Sequence, residues 1–116
     1  QDYVVRQVAN KSKNKITIIQ GIDKKLPLED IASSVGLNFE EILDEMNMIV
    51  SAGTKLDLTY YIEENIDEYT QEDVMDYFAD AANDSVDEAF NELKEDDITY
   101  EEIKIMRLKF LSEVVN

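Results

Sequence analysis

The chain has 116 residues, 44% of them hydrophobic, which suffices for one core, or for two small helical subdomains sharing a seam, and not for a multi-domain enzyme. Cys, His and Trp are absent, which excludes thiolate and imidazole zinc sites, a Cys nucleophile, a His general base and disulfides. The net charge of -16 is uneven: residues 1–25 carry six basic against two acidic residues, residues 59–116 four against 18, so a polyanion meets repulsion almost everywhere but the first segment.

The chain opens on Gln1 rather than Met, which suggests a fragment of a longer protein, and no apolar run approaches the ~20 residues of a membrane helix. A soluble intracellular protein is expected. The opening DYVVRQV reads as an extended lead-in or a strand, with β-branched content tilting slightly to the strand. Pro27, Gly21, Gly36 and Gly53 then divide the first half into a helix from about Lys13 to Asp23, a second from Leu28 to Ser34, a turn at Val35 to Leu37, and a third from Asn38 to Ala52. Phe39, Ile42, Leu43, Met46, Ile49 and Val50 recur at the spacing of one buried helical stripe. The alternation in TKLDLTYY predicts a short strand over Thr54 to Leu58, where a winged helix-turn-helix places its wing.

The second half has neither Gly nor Pro, and capping signals at Thr70, at Ser85 with Glu88, and at Thr99 with Glu102 divide it. They predict helices over about Tyr60 to Ile66, Gln71 to Ala81, Val86 to Leu93 and Tyr100 to Val115. The last is apolar on more than one face, so it is either the central helix of this half or meets another chain. If Met106, Phe110, Leu111 and Val114 line the core, Ile105, Leu108 and Val115 are left for a partner surface, a homodimer included. The fold class expected is mainly α, with a winged helix-turn-helix-like subdomain at residues 1–58 containing a short β element, and an acidic helical subdomain at 59–116.

Few residues here carry chemistry. Glu72, Asp76 and Asp80 share a helix face without the spacing of an oxygen-ligand loop, and read as a solvated acidic face. No Gly-rich loop leads to Lys and Ser or Thr, so no phosphate cradle of that kind is present. No catalytic residue, metal ligand or cofactor is assigned to the chain.

Ile31, Ala32, Gly36, Leu37 and Ile42 occupy the packing positions of a helix-turn-helix, with a departure at Glu45 where an apolar residue is usual. On the helix that would enter a DNA groove, the outward positions are Glu40, Glu41, Asp44, Glu45, Asn47 and Ser51. Phosphate contacts and guanine readout need Arg or Lys, which this helix lacks, so a structural or protein-binding use of the shape is favoured. A direct phosphate contact is the alternative reading for the basic first segment, through Arg6, Lys11, Lys13, Lys15, Lys24 and Lys25.

At VVRQVANKSKNKITIIQGID, then SAGTKLDLTYYIEENIDEY and DSVDEAFNEL, the chain resembles the extreme C-terminal region of RecQ-type ATP-dependent DNA helicases from Bacteroidetes-like bacteria, over nearly its full length. The resemblance implies a parent that unwinds DNA in repair and recombination with ATP and magnesium. None of that family's helicase motifs, zinc-binding cysteines or nucleotide-binding residues has a counterpart here. The expectation is a non-catalytic accessory domain that docks to the parent's other domains or to a protein partner, with DNA binding by the fragment weak or absent.

Overall fold

A computed structural model describes the backbone of residues 2–115 and the side chains of residues 13–114. The helices are α1 (Asp2–Asp23), α2 (Leu28–Ser34), α3 (Phe39–Ser51), α4 (Thr59–Asn65), α5 (Glu68–Asp80), α6 (Val86–Leu93) and α7 (Tyr100–Phe110). A 3₁₀ turn, Lys94–Asp96, follows α6, and a π turn, Leu111–Val115, continues α7.

The expected wing is absent. Among the described residues there is no strand, and Thr54 to Leu58 is an irregular segment, which overturns the winged part of the fold class. A strand is stabilised only by a ladder partner, and the opening DYVVRQV, which would have supplied one, lies in α1. The alternation in this segment has another cause. Leu56 and Leu58 are buried between exposed Lys55 and Asp57, and the Leu56 N–H donates to Ser112 Oγ at 3.1 Å instead of to a neighbouring strand.

Two helix starts also differ from expectation. α1 begins well before Lys13, and α5 begins at Glu68 because Asp67, not Thr70, is its cap. The Asp67 carboxylate accepts from the Thr70 N–H at 2.9 Å and from the Thr70 hydroxyl at 2.9 Å, so Thr70 sits inside the first turn. Ser85 and Thr99 cap α6 and α7, the latter in a reciprocal box with Glu102.

The helix-turn-helix forms because two glycines permit two different things. Gly36 takes φ +73 in the turn between α2 and α3, a conformation that costs an L side chain energy. Gly21 lets α1 close on α2, since a Cβ there would lie 2.7 Å from Ile31 Cγ1. α7 is the central element. Its Ile103, Ile105, Met106 and Leu108 are buried and it packs against α3, α4, α5 and α6. One apolar cluster thereby runs from Ile18 and Ile22 on α1, through Ile31, Ile42 and Met46, to Val74, Phe78 and Ala89. No helix among the described residues is long and apolar enough to cross a membrane.

Candidate functional site

In a helix-turn-helix the outward face of the third helix is the first place to look for a binding site. The N-terminus of α3 is closed by its own side chains: Asn38 Oδ1 accepts from the Glu41 N–H at 2.8 Å, and Glu41 Oε1 accepts from the Asn38 N–H at 2.9 Å. Glu40 and Glu41 also lie in the first turn, where the helix dipole favours negative charge. The acids that make this helix unfit for a phosphate thus have a local structural cause.

One turn further on, α7 takes hold of the same helix. Lys104 Nζ lies 3.1 Å from Asp44 Oδ1, and Arg107 Nη1 donates to Asn47 Oδ1. The two contacts advance by three residues on both helices, so α3 and α7 run in the same direction here. Arg107 also donates through Nε to the Asp84 carbonyl at 2.7 Å and through Nη2 to the Asp84 carboxylate at 2.8 Å. One guanidinium therefore fastens α3, α7 and the segment before α6 around a cleft of about 250 Å³. No local spacing in the sequence encodes these contacts. A basic pair at positions 104 and 107, set among Ile103, Ile105, Met106 and Leu108, is the signal that would have found them.

Of the basic residues assigned to phosphate contact, the side chains of Arg6 and Lys11 lie outside the described residues. Lys13 and Lys15 are exposed on α1, where helical geometry turns them to nearly opposite sides. Lys24 and Lys25 are exposed in the turn before α2, with Lys25 at φ 60. Lys25 acts on Asp57, whose carboxyl is held below its ordinary range chiefly by hydrogen bonds from Thr59, with Lys109 and Lys25 adding to the effect. Among the described residues, none of Lys13, Lys15, Lys24, Lys25 and Lys55 forms an ion pair, whereas Lys104, Arg107 and Lys109 all do.

The residues expected on a partner surface are placed differently. Ile105 and Leu108 are buried inside the chain at 3% and 1% exposure, and the Val115 side chain lies outside the described residues. Of the set expected in the core, Met106 and Leu111 are buried, Phe110 is half-buried against Phe78, and Val114 is exposed. Glu72, Asp76 and Asp80 are exposed along α5. Among the described residues, no group of three or more acidic side chains is arranged to hold a metal ion.

α2 and α3, joined by the Gly36 turn, form a helix-turn-helix in which two outward residues of α3, Asp44 and Asn47, are held by α7. Residues 12–62 match the RecQ-1-like helix-turn-helix domain. The RecQ-1-like segment takes in the second half of α1, all of α2 and α3, the irregular segment and most of α4, and it leaves α5 to α7 beyond its end. No curated protein matches the chain.

Proposed function

We propose that this chain is a non-catalytic accessory domain of a RecQ-type ATP-dependent DNA helicase of the bacterial cytoplasm. It docks to the parent's own domains or to a protein partner, and it does not read DNA with α3. The ATP and magnesium chemistry belongs to the parent's other domains. One observation carries this reading: no outward residue of α3 is basic, and two of those residues, Asp44 and Asn47, are engaged by Lys104 and Arg107. Specific and non-specific DNA binding both rest on cations facing phosphate, and this surface offers none.

The test compares duplex binding and unwinding by the parent with and without these residues, alongside fluorescence anisotropy of the isolated chain. Weak or absent duplex binding at physiological salt, together with altered unwinding by the truncated parent, is the expected pair of results. Submicromolar, salt-sensitive binding lost on changing Asn47 or Ser51 would overturn it.

A second reading, an auxiliary phosphate contact, is favoured by the lysines of the first half that, among the described residues, no carboxylate pairs in a strongly acidic chain. Lys11 and Lys15 lie four apart on α1 and so share a side, away from Lys13. Neutralising Lys11, Lys13 and Lys15 together should then flatten the salt slope of any residual affinity by up to ~2, about one counterion per contact. An unchanged slope would exclude that contact.

A further inference from the structure

The helix-turn-helix has a second face, where the α1–α2 turn meets the start of α4. Two hollows of about 380 Å³ each lie there, sharing Lys25 and the Tyr60 ring. Ile22 contributes to one, and Pro27 and Tyr61 to the other. Leu26, between two of the lining residues, is 41% exposed.

The walls are held in place before anything binds. The Tyr60 hydroxyl donates to the Leu26 carbonyl, and the Tyr61 hydroxyl donates to Glu29 Oε2 at 2.6 Å. Burial and the Glu29 carboxylate both push the Tyr61 phenol up, so it stays a donor. Rigid aromatic walls keep the ordering cost of binding low.

The charge of the rim selects the occupant. Asp23 and Asp57 border one hollow, Glu29 and Glu64 the other, against the ammonium of Lys25 in the lining, with Lys109 also acting on Asp57. None of these four carboxylates is in an ion pair, among the described residues. A phosphate backbone would be repelled, and an uncharged apolar segment would leave the carboxylates uncompensated. We infer that this groove docks an extended segment of a partner protein in which an apolar side chain is flanked by lysine or arginine, the apolar group lying on Tyr60, Pro27 and Leu26 and the cations reaching Asp23 and Glu64.

The inference deepens the proposed accessory role by giving the partner its chemistry, and it rests on that reading for the claim that docking is the domain's task. Binding itself is measured on the chain alone, so a null result here leaves the effect of truncating the parent standing, and the converse also holds. The probe is the peptide Lys-Arg-Leu-Lys-Arg titrated into the isotope-labelled chain, with Glu-Glu-Leu-Glu-Glu as its control, read by amide chemical shifts. Shifts centred on Ile22, Lys25, Leu26, Tyr60 and Tyr61 are expected for the basic peptide only. The double variant Asp23→Lys with Glu64→Lys alters two exposed side chains, and its fold is checked by circular dichroism. It should weaken binding about tenfold, since each reversal turns a surface attraction into a repulsion. Shifts centred on α5 and residues 94–96, equal binding of both peptides, no shift at millimolar peptide, or an unchanged affinity in the double variant would each overturn the assignment.

Discussion

Arg107→Ala is the perturbation that most directly asks whether α7 is fastened to α3 by its polar side chains. Arg107 is 17% exposed and makes three contacts, to the Asp84 carboxylate, the Asp84 carbonyl and the Asn47 amide. Asp84 is 48% exposed, so solvent screens the ion pair and it is discounted to well under 1 kcal/mol. The two bonds from a charged donor to neutral acceptors contribute up to ~1.5 kcal/mol each, reduced because Asn47 and Asp84 are half-buried and regain water when Arg107 is removed. Together these give a loss of about 2 kcal/mol. With an unfolding entropy of ~2.1 cal/mol/K per residue over 116 residues, the melting temperature should fall by about 8 °C. Circular dichroism melts of Arg107→Ala, Asn47→Ala and the double variant form a cycle whose coupling should be about 1 kcal/mol. Hydrogen exchange should also quicken in α3 ahead of α5. A loss under ~0.5 kcal/mol with zero coupling would refute the reasoning, and α7 would then be held on α3 by apolar packing alone.

Two further outcomes follow from burial and from titration. Leu108→Asp places an unpaired carboxylate where Leu108 is 1% exposed, and should unfold the chain outright, while Leu108→Ala should cost ~2 to 5 kcal/mol; a melting temperature unchanged by Leu108→Asp would remove Leu108 from the core. The Asp67 and Asp57 carboxyls are lowered from the ordinary 3.8, mainly by hydrogen bonds from Thr70 and Thr59, so their contribution is full above that value and is lost as pH falls through the folded-state values. The melting temperature should therefore drop on acidification below about pH 4, and less steeply in Asp67→Asn, with parallel slopes in both proteins as the contrary result.

The helical parts of the fold were legible where a side chain closes a local hydrogen bond or where an apolar stripe is complete. Ser85, and Thr99 with Glu102, cap as their spacing suggests, while Thr70 yields to Asp67, and the stripe of α3 is buried at Ile42, Leu43, Met46, Ile49 and Val50. The wing was misread because alternation marks which residues go inside and says nothing of whether a ladder partner exists. Leu56 and Leu58 satisfy the pattern by fixing an irregular segment to the core. The acidity of α3 was legible residue by residue, yet its partners lie sixty positions away at Lys104 and Arg107. Pairings of that range depend on how α7 threads between α3, α5 and α6, which no local period encodes. Ile105 and Leu108 were assigned to a surface for the same reason: a helix packed on several sides has no spare face, and the number of its neighbours is a property of the tertiary fold.

The bases on α7 bear on what α3 is for. If α3 were a DNA reader under inhibition, the element covering it would be expected to mimic a phosphate backbone with acids, and its removal would uncover cations. Here the covering helix supplies the cations and the covered helix the acids. Two like charges 4 Å apart in water repel by about 1 kcal/mol, screened beyond ~8 Å at physiological salt. Glu40, Glu41, Asp44 and Glu45 on one short helix would therefore oppose groove insertion by a few kcal/mol in all. Lys104 offsets one of the four, so displacing α7 leaves α3 more anionic. The contact of α7 with α3 is accordingly a joint within the fold. The outward features it leaves uncovered are the tyrosine-walled groove, the exposed lysines of the first half and the acidic flank of α5.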